Sequence, residues 1–285
     1  MKIIECPRDA MQGIDTLIPT EAKVRYVNAL LKVGYDTIDV GSFVSPKAIP
    51  QMSDTSKILK QIDLTATRSK LLCIVANLRG AKEAVQFDEV SYLGFPFSIS
   101  ETFQLRNTNS TIAESLDRVG EIQDECRKFN KQLVVYLSMG FGNPYGDPWS
   151  SDIAIQWSHK LHHMGIRIIA LSDTIGVSNP SNITELFSSL IPALKDVEFG
   201  AHLHTTPEKW EEKIEAAYNS GCKRFDAAIK GFGGCPMAAD KLTGNMPTEN
   251  LLGYLNQHNI ATGLDMKAFA EAMLIAGEIF PKTNH

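Results

Sequence analysis

The chain has no run of about 18 uninterrupted apolar residues, which argues against a membrane-spanning helix. Its first residues, Met1-Lys2-Ile3-Ile4-Glu5-Cys6, turn charged too soon for a signal peptide. Positive charge is not in excess either: the formal net charge is −5, and a basic surface for nucleic acid is not expected. Cysteine is sparse, with Cys6, Cys73, Cys126, Cys222 and Cys235 forming an odd set without a C-x-x-C pair. Neither a disulfide framework nor a zinc ribbon is indicated, and reduced thiols suit a cytoplasmic protein. The turn after the first apolar run lacks G-x-G-x-x-G, which weighs against a dinucleotide-binding sheet. No linker or low-complexity segment divides the 285 residues.

What is present is a globular composition, 44% hydrophobic and 21% charged, with a strict alternation of patterns. Short β-rich runs recur at Lys2–Cys6, Thr37–Val40, Leu71–Val75, Glu89–Phe95, Leu133–Leu137, Ile166–Leu171, Glu198–His204 and Arg224–Ile229. Between them stand helix starts such as Pro19-Thr20-Glu21, Ser110-Thr111-Ile112-Ala113-Glu114, Pro180-Ser181-Asn182 and Thr206-Pro207-Glu208. One helix after each strand implies a parallel sheet with right-handed crossovers, and eight such units close into a (β/α)8 TIM barrel. A doubly wound open sheet is the alternative. Asp265–Phe280 reads as an extra C-terminal helix, and residues 1–285 are expected to form a single catalytic domain.

Barrel chemistry sits at the carboxyl ends of the strands. Those ends are polar here: Arg8 and Asp9, Asp39 and Ser42, Asn77, Ser138, Asp173, then His202 and His204. The period of two in a strand turns His202 and His204 to one face, close enough to share a cation. Asp9 and Asn245 offer oxygen from neighbouring strand ends, and mixed N/O ligation suits Mg²⁺, Mn²⁺ or Zn²⁺. Asp9 also reads as a helix cap or turn residue, and Asn245 as a left-handed turn residue. Arg8 is either a surface charge or a fixed fork aimed at a developing enolate. Gly231-Phe232-Gly233-Gly234-Cys235-Pro236 has the make-up of a closing lid that carries a thiol, with a tight packing turn as the alternative. His159, His162 and His163 fall on the helix before the sixth strand and read as peripheral, as do His258 and His285. The aromatic residues show no stacking rhythm with basic ones.

These motifs together resemble the hydroxymethylglutaryl-CoA lyase family of metal-dependent barrel lyases, which is related to Claisen-type synthases. The resemblance runs almost end to end. It rests on Pro7-Arg8-Asp9-Ala10-Met11-Gln12, Ser42-Phe43-Val44-Ser45-Pro46-Lys47, Asn77-Leu78-Arg79-Gly80, Asp173-Thr174-Ile175-Gly176-Val177, His202-x-His204, Gly233-Gly234-Cys235-Pro236 and Gly244-Asn245-Met246-Pro247. It implies Asp9, His202, His204 and Asn245 as metal ligands, with Arg8, Cys235, Asp39 and Asp173 as catalytic residues. Gln12, Ser42 and Asn77 would line the substrate pocket. The implied substrate is a 3-hydroxy-3-methylglutaryl thioester or a close 3-hydroxyacyl-CoA, cleaved to acetyl-CoA and acetoacetate, and a homodimer is expected. Four positions depart from the family pattern: Ala10 replaces a glycine, Asp39 a longer acid, Asn143 a cysteine and Thr205 an acidic residue. A Claisen-type acyltransferase, a 4-hydroxy-2-oxoacid aldolase and a metal-binding barrel without turnover are the competing readings.

Overall fold

The computed structural model describes residues 1–234 and 243–280. Eight parallel strands form its centre: β1 Lys2–Glu5, β2 Thr37–Ser42, β3 Lys70–Ile74, β4 Val90–Ser98, β5 Gln132–Ser138, β6 Ile168–Asp173, β7 Glu198–Thr205 and β8 Arg224–Ala227. They pair in sequence order from β1 to β8, and β1 with β8 completes a closed (β/α)8 barrel. Strands buried on both faces need near-continuous apolar runs. Leu71-Leu72-Cys73-Ile74 and Leu133-Val134-Val135-Tyr136-Leu137 supply them. A ninth, two-residue strand, β9 Gly244–Asn245, adds to the top of β7 in antiparallel sense.

Most strand bounds differ from the sequence reading by one to three residues, and β6 and β8 show why. β6 starts at Ile168 rather than Ile166, because Gly165 at φ 90° and the Ile166 amide bonded to Leu161 still close the preceding helix. β6 then runs on to Asp173. β8 stops at Ala227, since the chain turns at once into Ile229–Gly231 with Lys230 at φ 62°. Between β4 and β5 there are two helices, Glu101–Thr108 and Ile112–Lys128. Asn109 in the left-handed region ends the first, and a capping box between Thr111 and Glu114 starts the second. The C-terminal helix, Met266–Ile279, is capped by Asp265 and packs on the Thr20–Val33 helix. No helix among the described residues is long and apolar enough to cross a membrane.

The barrel lumen divides into two walls. On β3–β6 it is lined by Leu72, Ile74, Tyr92, Val134, Tyr136, Ile168 and Ala170, which form their own apolar cluster. Laterally paired residues of a parallel ladder share a face, so the registers Asp39↔Leu72, Gly200↔Arg224 and His202↔Asp226 turn charged side chains inward from β2, β7 and β8. Arg224 crosses β7 at Gly200, where a Cβ would stand 2.9 Å from the Arg224 Cδ. The apolar wall gives the barrel its packing, and the charged wall carries the site.

Candidate active site and metal centre

Immediately after β1 the chain winds into the short Pro7–Gln12 helix, with proline at its start where a missing N–H costs nothing. Helical spacing of three and four then brings Arg8, Asp9 and Gln12 together. The Arg8 Nη1 donates to Asp9 Oδ1 at 2.9 Å and to Gln12 Oε1 at 2.8 Å, and the Gln12 Nε2 donates to the same Asp9 oxygen at 2.8 Å. Its Nε and Nη2 both donate to Asp39 Oδ2 on β2. The guanidinium thus spans two buried carboxylates, and Asp39 Oδ1 keeps no hydrogen-bond partner. Ala10 is buried within this helix, a place where alanine is the better helix former.

The second half of the site comes from β7. His202 and His204 lie on one face with ring centroids 5.4 Å apart. Ligand atoms of Asp9, His202 and His204 all fall within 4.8 Å of one another. Asn245 reaches the same place because β9 pairs it with His204. Its Nδ2 donates to Asp9 Oδ2 at 2.7 Å and to the Phe232 carbonyl at 2.8 Å. Both amide hydrogens are committed, and the amide oxygen is left as the available lone-pair atom. Asn245 is not in the left-handed region, so the turn reading of that residue does not hold. Gly233 lets the next loop press against the cluster: a Cβ there would sit 2.4 Å from the Asn245 Nδ2 and 2.8 Å from the Asp9 carbonyl oxygen.

Burial and charge set the protonation states. Burial pushes the His204 imidazole down to about 4, helped by neighbouring His202. The ring is therefore neutral near pH 7, and both of its nitrogens are buried without a partner. Two orphaned imidazole nitrogens beside a carboxylate are what a nitrogen-ligated cation would satisfy, so these residues fit a divalent metal. Burial acts the same way on His202, but the hydrogen bond and charge of Asp226 outweigh it and raise the pKa. Asp9 would also rise on burial, yet Arg8 and the two histidines hold it below the ordinary value. For Asp39, burial wins over Arg8 and raises it to about 6.

His202 belongs to two groups of potential ligands. One is the Asp9–His204 set; the other joins it to Cys6 and Asp226. The second set suits a cation less well: burial drives the Cys6 thiol far above its usual range, and the Asp226 Oδ2 already faces His202 Nδ1 at 3.2 Å.

Other residues singled out in the sequence are engaged differently. Asp173 stands at the end of β6, where its carboxylate accepts from the Ser178 amide and hydroxyl and from Lys213 Nζ at 2.8 Å. Lys213 also donates to the His204 carbonyl at 2.8 Å and the Gly176 carbonyl at 3.1 Å, which ties the ends of β6 and β7 together. Asn77 caps the Leu78–Ala84 helix by accepting the Gly80 amide. The Ser42 hydroxyl is buried without a partner. Asn143 holds its own loop, accepting the Tyr145 and Asp147 amides. His162 pairs with Asp196 on the outer ring, as its peripheral reading implies. Cys235 lies outside the described residues.

Sequence reasoning missed Asp226 and Lys213. The signals were there: Arg224 and Asp226 alternate with Phe225 and Ala227 in a barrel strand, and Lys213 sits four residues before Ala217 on a helix face that is otherwise apolar.

A closed parallel barrel that gathers two imidazoles, a carboxylate and an amide at its mouth, with a guanidinium alongside, defines a barrel enzyme with a place for a divalent cation. The HMGL-like family model matches residues 2–275, and the chain belongs to that family. It is 33% identical to the mitochondrial hydroxymethylglutaryl-CoA lyase of Gallus gallus, covering 100% of this chain and 95% of that one. Among solved structures, the hydroxymethylglutaryl-CoA lyase of Pseudomonas aeruginosa superposes with a TM-score of 0.91 at 30% identity, over 99% of this chain and 94% of that one. An HMG-CoA lyase from Acinetobacter baumannii in complex with coenzyme A and 3-methylmalate gives a TM-score of 0.88 at 29% identity, over 100% and 96% of the two chains.

Proposed function

We propose that the chain is a divalent-metal-dependent carbon–carbon lyase that cleaves 3-hydroxy-3-methylglutaryl-CoA, or a close 3-hydroxyacyl-CoA, to acetyl-CoA and acetoacetate. The observation that carries this reading is the Arg8 guanidinium fixed between Asp9 and Asp39, with Asp9 in turn beside an imidazole that has no partner. Asp9, His202, His204 and the Asn245 oxygen would hold the metal, and this mixed set suits Mg²⁺ or Mn²⁺ and accommodates Zn²⁺. When bound, such an ion supplies a Lewis acid for the substrate's hydroxyl and carbonyl oxygens.

The protein's own groups account for the proton and electron movements. Asp39, with one free buried oxygen and a pKa of about 6, takes the proton of the tertiary hydroxyl. The C2–C3 bond breaks, its electrons pass to the thioester as an enolate, and the hydroxyl carbon becomes the ketone of acetoacetate. Arg8, already held as a fork, stabilises that enolate without reorganising. Cys235, on the segment beyond Gly234, returns a proton to the enolate carbon to give acetyl-CoA. Gln12 and Ser42 orient the substrate, while Asp173, engaged by Lys213 and Ser178, holds the ends of β6 and β7 in place. Residues 1–285 act as one catalytic domain, in a homodimer.

The test is metal-dependent turnover of a panel of 3-hydroxyacyl-CoA esters, with deuterium exchange into acetyl-CoA. We expect cleavage that vanishes on chelation, and a large loss of both cleavage and exchange in Cys235→Ala and Cys235→Ser. Release of pyruvate from a 4-hydroxy-2-oxoacid, or condensation of acetyl-CoA with a 2-oxo acid, would assign the site to an aldolase or a Claisen-type synthase instead. Metal binding without turnover of any panel member would reduce it to a binding barrel.

A further inference from the structure

His202 is confined on three sides. Its Nδ1 faces the Asp226 carboxylate at 3.2 Å, the edge of the Tyr136 ring system meets it at 5.4 Å and 81°, and His204 lies 5.4 Å away. Asp226 is placed by backbone register, because His202 and Asp226 are lateral partners across β7 and β8. Its side chain is 0% exposed. Beneath it, Arg224 approaches the other Asp226 oxygen at 4.0 Å and is itself held by Glu198 at 3.1 Å. A carboxylate can only accept from Nδ1, so the hydrogen bond requires the proton to be there. That leaves Nε2 as the lone-pair atom.

We propose that Asp226 is the positioning residue of this centre: it fixes the Nδ1–H tautomer and the ring plane of His202, so that Nε2 is presented to the cation shared with Asp9 and His204. The inference rests on the metal reading given above. Carboxylates that orient ligating histidines in this way change metal affinity by roughly 10–100-fold when removed. Asp226 acts through His202, and its effect is on how readily the site fills.

The experiment uses chelator-treated full-length protein, with Mn²⁺ calorimetry and nitrogen-15 histidine spectra of the metal-free state. Asp226→Ala and the isosteric Asp226→Asn are compared with wild type and with His204→Ala. Expected results are a His202 signal of the Nδ1–H form in wild type, a mixed or Nε2–H signal in the Asp226 variants, and Mn²⁺ affinity lowered at least about 10-fold. Thioester cleavage at saturating Mn²⁺ should return most of kcat. A purely structural role would leave the tautomer unchanged and lower kcat at every metal concentration. Wild-type Mn²⁺ affinity in Asp226→Asn, or an Nε2–H tautomer in wild type, overturns the proposal. If His204→Ala also keeps its affinity, the metal reading itself falls; if His204→Ala loses metal and Asp226→Asn does not, only the role of Asp226 does.

Discussion

His204 and Asn245 are direct partners in the antiparallel pairing of β7 with β9, so two prospective ligands are set opposite each other by backbone hydrogen bonds. Side-chain placement by register is stiffer than placement by a loop. It also explains why Asn245 reaches Asp9, 236 residues away in sequence, at 2.7 Å.

Replacing His204 should separate metal binding from stability. In His204→Ala, Mn²⁺ affinity measured by calorimetry is expected to fall by more than the roughly 10–100-fold that losing a hydrogen-bond partner of a ligand costs. The metal-free variant His204→Leu, however, should melt no lower than wild type, because it removes two buried nitrogens that have no partner. An unchanged affinity would remove His204 from the ligand set, and a clear drop in the metal-free melting temperature would show that its nitrogens are satisfied.

Arg8→Lys is expected to keep the fold and the metal and to lose most turnover. One ammonium cannot span Asp9, Gln12 and Asp39 as the guanidinium does. A loss of two decades in kcat corresponds to about 2.7 kcal/mol of transition-state stabilisation. Near wild-type kcat in this variant would refute a role for the fork at the enolate.

Glu5 should make the protein more stable in mild acid than in mild base. Burial raises its pKa from 4.5 to about 8 despite hydrogen bonds from Thr248 and Ile229. The folded state therefore holds the proton more tightly than the unfolded chain. This contribution is complete below the unfolded pKa and is lost as pH rises towards and through the folded one. Unfolding free energies of wild type from urea denaturation should fall between about pH 5 and about pH 8.5 relative to those of Glu5→Gln, by an amount on the order of a few kcal/mol. Parallel curves for the two proteins would contradict the shift.

Lys213→Met should be costly although it lies outside the reacting groups. It leaves the Asp173 carboxylate buried and unpaired, since both side chains are 0% exposed. Breaking one side of such a pair costs about 3–5 kcal/mol. The double variant Lys213→Met with Asp173→Asn should recover part of that loss in urea denaturation. No recovery would show that Lys213 acts through the Gly176 and His204 carbonyls instead.

The barrel was legible in the sequence because strands buried on both faces leave unbroken apolar runs, and helix starts leave caps such as Thr111 with Glu114. The grouping of Arg8, Asp9, His202, His204 and Asn245 followed from one rule, that barrel strand ends converge. What escaped was of two kinds. Asp226 and Lys213 are charges whose ordinary reading is solvent exposure, and only the closed lumen and the buried helix face reveal them as partners of His202 and Asp173. Asn77, read from the sequence as lining the substrate pocket, caps a helix in the structure. Boundaries such as the start of β6 depended on how Gly165 ends a helix, which hydrophobic pattern does not encode.

The site is joined across the two ends of the barrel's strand order, with Asp9 and Asp39 from the first two strands and His202, His204 and Asn245 from the last. Its contacts therefore have very high sequence separation, and no shorter stretch of the chain emerging during synthesis contains them all. The cluster completes only when β1 meets β8, which is also the step that closes the ring. A ligand gripping both sides of that seam favours the closed ring over any open intermediate by RT ln(1 + [L]/Kd), about 2.7 kcal/mol at a hundredfold excess over Kd. Occupancy of the mouth thus reports, and reinforces, the seam at which the ring closes.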